Sequence, residues 1–471
     1  MVEQRRPPDA PHAAPDGRAA ARAWVALGRR FAPLFEAFVR WVVEQVRQDG
    51  LDRVYYFTRE GEFFASIHRK LFPPSAAVPR PIVLEVSRLA TFAASLPAIS
   101  PAKLAGLWAR YPRQTLRSVL TSLGLHVHDL PNPPERWSLS EDEPLEPADP
   151  RWLALLGDER NARWLEQHRT AQRAALNAYL ARQGWSDADA RTAVVDIGWH
   201  GTIQDHLARL RPACDIRGYY FGLMPCRTPE RSGPAGPAAA SAATPAPFRA
   251  SFVKDFLAEG DQHLAGQFLK FVGPMEMLCN APGGSVVGYT IGNSGAQAVR
   301  KTSEGEERIF EQCTRHFQAG VLEAVGSDTP AGVPGALAGT RETPARIPDD
   351  ASTCLAGRDR WPKREHCWRL LRELMIDPPR LIAVAHDRLL HDESFGLGRQ
   401  VAMRQWIPAR LYWESLFSAA ARQRLWQQLT TVPWPHGYLV ARRLRWVCRL
   451  LNLRYFRDLS DPHRASRRRA A

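Results

Sequence analysis

Residues Ala193-Val-Val-Asp-Ile-Gly-Trp-His-Gly-Thr-Ile-Gln-Asp-His-Leu207 decide how this chain folds. The β-branched pair Val194 and Val195 leads into Asp196, two glycines (Gly198 and Gly201) bracket a short turn, and Thr202 opens an amphipathic stretch. Behind it Ile203, Leu207 and Leu210 recur at helical spacing. The pattern predicts a strand, a tight loop and a helix. Such a junction gathers unpaired backbone N–H groups and the positive end of a helix at one point, which suits a phosphate. Asp196 would lie at the carboxyl end of a strand, where open α/β sheets bind ligands. A β–α turn that binds nothing carries the same features, so this loop alone does not decide between the two.

Outward from the loop, further strands are predicted at Arg53–Thr58, at 81–88 and at Ile216–Leu223. Helical periodicity precedes the first of these, from Trp24 to Val46, and a largely helical region runs from Pro101 to Gly184, broken by proline-rich 130–150. Strands alternating with helices predict an α/β fold: a mainly parallel sheet flanked by helices, Rossmann-like or phosphoribosyltransferase-like, with a mostly helical C-terminal region. The expected organisation is a disordered tail over 1–22 and an α/β domain over 23–325 with a flexible insertion at 228–247. A linker over 326–350 and a basic helical region over 351–471 follow.

The chain has 471 residues, a net charge of +14 and seven cysteines without a C-x-x-C pair. Such cysteines are expected to be reduced thiols, neither a disulfide frame nor a zinc site. No apolar run is long enough for a transmembrane helix, and the N-terminus shows no signal sequence, so a cytoplasmic protein is expected. The arginines of 442–457, interleaved with Trp446, Leu450, Leu453 and Phe456, form a basic amphipathic segment. It suits an anionic membrane or partner as well as an ordinary surface helix. No nucleic-acid module is recognisable, and no nucleic-acid partner is expected.

Three strand ends carry polar groups: Thr58-Arg59-Glu60-Gly61, Ser87-Arg88, and Asp196 through Gln204. Parallel neighbours would bring them to one sheet edge. Two forked guanidinium groups there suit phosphate oxygens, and carboxylates suit sugar hydroxyls or Mg²⁺ shared with a pyrophosphate. Farther on, Glu276 lies in an apolar setting before Asn280-Ala-Pro-Gly-Gly-Ser285.

Segments 53–64, 86–88, 195–204, 218–223 and 275–289 resemble the glycan phosphoribosyltransferase domain of bacterial ribofuranosyltransferases, which serve the assembly of O-antigens and capsules. The resemblance covers roughly the first two thirds of the chain. It implies that a 5-phosphoribosyl unit passes from phosphoribosyl pyrophosphate to a glycan acceptor, expected to be lipid-linked, with Mg²⁺ as cofactor. Asp196 would bond the ribose hydroxyls, Gly198, Gly201 and Thr202 would cradle the 5-phosphate, and Thr58, Arg59, Gly61 and Arg88 would hold the pyrophosphate. Ser87, Trp199 and Gln204 complete the expected substrate-binding set, with Glu60, His200 and Glu276 as candidate bases.

The family usually joins this domain to a haloacid-dehalogenase-type phosphatase, which needs a strand-borne Asp-x-Asp. The one such motif here, Asp187-Ala-Asp189, follows Trp185-Ser186 in a helical or loop context. The chain is therefore expected to leave the 5-phosphate in place for a separate phosphatase. A phosphohydrolase and a non-catalytic assembly protein at the membrane surface are the alternatives.

Overall fold

In the computed structural model the described residues are 17–73, 78–185, 191–224, 247–260, 265–266, 269–327, 361–403 and 405–451. A long helix α1 (Gly17–Gln48) precedes β1 (Val54–Phe57), α2 (Glu60–Leu71) and β2 (Pro81–Leu84). The helical region follows as α3 (Arg88–Ser95), α4 (Pro101–Arg110), α5 (Leu116–Ser122), α6 (Pro150–Gly157) and α7 (Glu159–Arg182). Then come β3 (Arg191–Asp196), α8 (Thr202–Leu210), β4 (Asp215–Tyr220) and the short β5 (Arg249–Ser251). The five strands form one sheet in the order β2-β1-β3-β4-β5, every neighbouring pair parallel. This is the α/β fold that the alternation of strands and helices predicts.

The strand order places the functional edge. From β1 the chain moves outward to β2, returns to the other side of β1 as β3, and continues outward to β4 and β5. The connections leaving β1 and β3 therefore diverge, opening a crevice at the carboxyl ends of these two central strands.

The central strands β1 and β3 are buried on both faces along most of their length, as strands inside a parallel sheet are. Val54, Tyr56, Ala193, Val195 and Tyr219 face one core cluster, and Tyr55, Phe57, Val194 and Ile216 face another. Helix α1 covers the first face, its Phe38 ring 4.8 Å from Phe64, 5.3 Å from Phe221 and 5.5 Å from Phe252. The second face is covered by Leu176, Tyr179 and Leu180 of α7 and Leu207 of α8. The amphipathic period from Trp24 to Val46 is realised in α1, which begins at Gly17, inside the segment expected to be a tail.

Beyond the sheet lie α9 (Gly273–Cys279), an antiparallel hairpin of β6 (Ser285–Gly292) and β7 (Gly295–Lys301), α10 (Glu304–Ile309) and α11 (Arg315–Ala324). Val286–Tyr289, at the end of the segment 275–289, thus belong to a hairpin outside the main sheet. The C-terminal region contains α12 (Arg364–Ile376), α13 (Arg380–Asp387), a hairpin of β8 (Leu390–Glu393) and β9 (Arg399–Ala402), and helices α14 (Ala409–Phe417), α15 (Ala419–Thr431), α16 (Pro435–Ala441) and α17 (Arg445–Leu450). Cys367, Leu370, Leu371 and Leu374 of α12 join the cluster beneath α1. This region thereby shares the sheet's own core. The Asp187–Asp189 motif, most of the expected insertion and linker, and residues 452–471 lie outside the described residues. Within them, no disulfide forms among Cys214, Cys279, Cys313, Cys367 and Cys448, and no helix is long and apolar enough to cross a membrane.

Candidate functional site

A cleft of about 580 Å³ opens over the carboxyl ends of β1, β2 and β3. It is lined by Thr58, Arg59, Glu60, Ser87, Arg88, Asp196, Gly198, Trp199, His200, Gly201, Thr202 and Glu276. These are twelve of the fourteen residues singled out in the sequence. The other two lie beneath it. Gly61 is buried against β1, where an added Cβ would come 2.9 Å from the Tyr56 carbonyl carbon. Gln204 is fully buried and ties α8 to the sheet: its amide donates to the carbonyls of Ile216 (2.6 Å) and Phe248 (3.0 Å), and its Oε1 accepts from Tyr220 and Arg249. Its position is that of a scaffold residue.

The loop after β3 is fixed by its own packing. Gly198 has φ +136°, and a Cβ there would fall 2.1 Å from the Gly222 carbonyl oxygen. Gly201 has φ +67°, and its Cβ would meet the Arg249 guanidinium at 2.4 Å. Both glycines are therefore required by the protein before any ligand arrives. Arg249 clamps the loop, donating to the Gly201 carbonyl at 3.1 Å and pairing with Asp205. Nothing in the sequence around Arg249 marks it for this task. No side chain caps α8, so the N–H groups of its first turn keep their capacity to bind an anion. Gly201, Thr202 and Ile203 of that turn line the cleft, and Arg110, at the end of α4, donates to the Thr202 hydroxyl. The Thr58–Arg59 and Gly198–Trp199 peptide bonds are cis.

Hydroxyls expected to meet substrate are used internally. Thr58 donates its hydroxyl to the Val86 carbonyl at 3.0 Å, joining the ends of β1 and β2. Ser87 caps α3, accepting from the Ala90 N–H at 3.0 Å while donating to the Val286 carbonyl at 2.6 Å. Arg59 forms a buried ion pair with Glu306 of α10. Burial opposes its charge, but Glu60, Glu306 and Glu276 outweigh that cost and raise its pKa. Arg88 instead reaches along the cleft, donating to the Tyr111 hydroxyl at 2.8 Å with its guanidinium 5.6 Å from the Phe395 ring.

The acids form the floor. Asp196 accepts from the Ile197 N–H at 2.8 Å, and burial, joined by the charges of Glu60 and Glu276, pushes its carboxyl well above the usual range. Burial likewise raises Glu60, with Arg59 pulling the other way and Glu276 adding to the rise. Glu276 accepts from Trp199 Nε1 at 2.6 Å, which fixes the indole across the loop. At the mouth, the exposed His200 ring is lowered in pKa by partial desolvation and by the Arg110 and Arg88 guanidinium groups, so it stands neutral at pH 7. Among the described residues no three acid, histidine or cysteine side chains are close enough to cage a metal ion.

Other parts of the cleft come from distant chain. Arg110 and Tyr111 end α4, Lys301 ends β7, and His391 and Phe395 come from the C-terminal hairpin and its turn. His391 Nδ1 lies 3.1 Å from Glu306 Oε1, on the carboxylate that holds Arg59. No sequence period or motif marks these residues. Their chemistry at the site comes from tertiary placement.

Comparison with models of known protein families and with characterised proteins gives no match for this chain.

Proposed function

We propose that this chain is a glycan phosphoribosyltransferase that moves a 5-phosphoribosyl unit from phosphoribosyl pyrophosphate to a glycan hydroxyl in bacterial surface-polysaccharide assembly. One observation carries the reading. The ends of β1, β2 and β3 converge at the point where the strand order reverses, setting a carboxylate floor (Asp196, Glu60, Glu276) beside an uncapped helix start and the guanidinium groups of Arg88 and Arg110. A sugar bearing phosphate at one end and pyrophosphate at the other matches that distribution of charge.

In this mechanism the first turn of α8, with Arg110 beside Thr202, receives the 5-phosphate. Asp196 bonds the ribose hydroxyls. Arg88 draws the pyrophosphate end, a task that the resemblance shares among Thr58, Arg59, Gly61 and Arg88. Arg59 is bound by Glu306 and shapes the loop instead. Glu60 and Glu276 would be the carboxylates to hold a Mg²⁺ ion together with phosphate oxygens, and such an ion would supply charge neutralisation for the leaving group. The acceptor oxygen bonds to ribose C1 as the C1–oxygen bond to pyrophosphate breaks, and pyrophosphate leaves with the electron pair. His200, neutral and at the solvent-facing mouth, takes the hydroxyl proton. Stabilisation of the oxocarbenium-like centre and of the leaving group is chiefly electrostatic.

Such an enzyme would work in the cytoplasm at the inner membrane, where a lipid-linked acceptor would be presented, with a separate phosphatase removing the 5-phosphate. His200→Gln should lower kcat by about 10²-fold and remove the acid limb of the pH–rate profile. An unchanged profile would assign the proton to another group.

A further inference from the structure

Helix α14 is built with two unlike apolar sides. Leu411, Tyr412 and Ser415 are buried in a small core with Leu425 and Leu429 of α15 and Tyr438 of α16. The opposite side should be polar in a helix that faces water. Here it carries Trp413 (66% exposed), Leu416 (36%) and Phe417 (89%), spaced i, i+3, i+4 on one face. Trp406, in the segment entering the helix, is 78% exposed. Among the described residues the three most exposed large apolar side chains all lie within 406–417. The patch continues to α17, whose Trp446 ring lies 6.4 Å from Trp413. Exposed aromatic surface of this kind marks an interaction site.

Charge identifies the partner. Residues 409–471 hold thirteen arginines and no lysine against three acids, Glu414, Asp458 and Asp461, and so supply ten of the chain's fourteen excess positive charges. Arg410 is exposed one turn before Trp413 on the same face, and Glu414 lies 3.5 Å from Arg424. Exposed indole and phenyl rings bordered by arginines are the chemistry of the bilayer interface, where rings enter the headgroup layer and guanidinium groups meet lipid phosphates. We propose that the Trp413–Leu416–Phe417 face of α14, with the exposed Trp406 just before the helix, is a docking surface for an anionic lipid bilayer, with Arg410 on that face and the net positive charge of the C-terminal region supplying the attraction. The proposal moves the expected membrane contact from a basic segment alone to an aromatic face backed by it. It stands independently of the transferase reading, because lipid binding needs neither donor nor acceptor.

The test is sedimentation of the full-length chain with vesicles of phosphatidylglycerol and phosphatidylethanolamine, with vesicles of phosphatidylcholine alone, and with single-stranded RNA. The expected result is binding to the anionic vesicles that weakens about tenfold or more on phosphatidylcholine and in high salt. Trp413→Gln combined with Phe417→Gln, both exposed, should reduce anionic-vesicle binding about tenfold with thermal unfolding and solution mass unchanged. Undiminished binding by the double variant, equal binding to both vesicle types, or tighter binding to RNA than to vesicles would each overturn the proposal. So would a wild-type dimer that the double variant converts to monomer.

Discussion

At the scale of single residues the site is an unfavourable place to hold charge. Asp196 and Glu60 are both raised by burial and by their acidic neighbours. A carboxyl whose pKa is higher folded than unfolded supports the fold when protonated, at low pH, and loses that support as pH rises through the folded value. Asp196→Asn keeps an oxygen for the Ile197 N–H and removes the charge. It should therefore unfold at a higher temperature than the wild type at pH 8, with the gap closing toward pH 4, while transfer falls by about 10²–10³-fold. Equal melting temperatures at pH 8 would contradict the assignment of a costly buried carboxylate. Glu306 presents the opposite case, a buried acid whose partners justify it. Replacing it by Gln removes the direct ion-pair partner of the buried Arg59 guanidinium, leaving only the nearby charges of Glu60 and Glu276, and should cost about 3–5 kcal/mol in urea unfolding. A loss below about 1 kcal/mol, the range of surface pairs, would show that the pair is exposed to solvent screening.

At the scale of elements, the parts visible in sequence were those that local physics writes locally. β-branched residues mark β2 and β3, aromatic-rich runs mark β1 and β4, a 3.6-residue period marks α1, and the Asp196–Thr202 junction marks the loop that lines the cleft. The supports of that loop were hidden because they act at a distance. Arg249 reaches Gln204 from 45 residues away, and Glu306 reaches Arg59 across 247. Gln204 looked like a ligand-facing residue because its position after Thr202 follows the loop, yet the turn of α8 directs it into the sheet. Two buried histidines add a further elemental property. His206 in α8 bonds Thr91 of α3 at 2.8 Å with its pKa held well down by burial and then by Arg209, and burial lowers His386 in α13 to about 3. Both stay neutral when folded and protonate near pH 6.5 when unfolded. Their contribution to stability should consequently fall as pH drops below about 6.5. A wild-type melting temperature that, between pH 7 and pH 5, loses nothing relative to the His206→Gln, His386→Gln double variant would contradict neutral burial of this pair.

At the scale of the whole molecule, the C-terminal region carries a larger share of the site than its composition indicates. Its α12 leucines complete the core under α1, and its hairpin brings His391 to Glu306 and Phe395 to Arg88. The sequence showed a basic, helical stretch and gave no signal for the hairpin, since Leu390–Ala402 pairs through backbone groups without a strong alternating pattern. Phe395 also lies 6.1 Å from the Tyr111 ring and is buried. Phe395→Ala should cost about 3–5 kcal/mol and weaken donor binding through loss of the surface on which Arg88 rests. Loss of stability with donor affinity unchanged would confine the hairpin to a structural role. The cleft is thus assembled from chain segments hundreds of residues apart around a sheet edge that a fifteen-residue stretch foretells.

The central claim is that this edge handles a ribose carrying phosphate and pyrophosphate. Its most direct test is to incubate the full-length chain with phosphoribosyl pyrophosphate, Mg²⁺ and lipid-linked glycan acceptors, and to weigh the product by mass spectrometry. The predicted result is an acceptor heavier by a pentose that still bears its phosphate, with one pyrophosphate released per transfer and both signals lost in Asp196→Asn. No transfer to any acceptor together with no stabilisation of the fold by the donor, or release of inorganic phosphate in place of pyrophosphate, would contradict it.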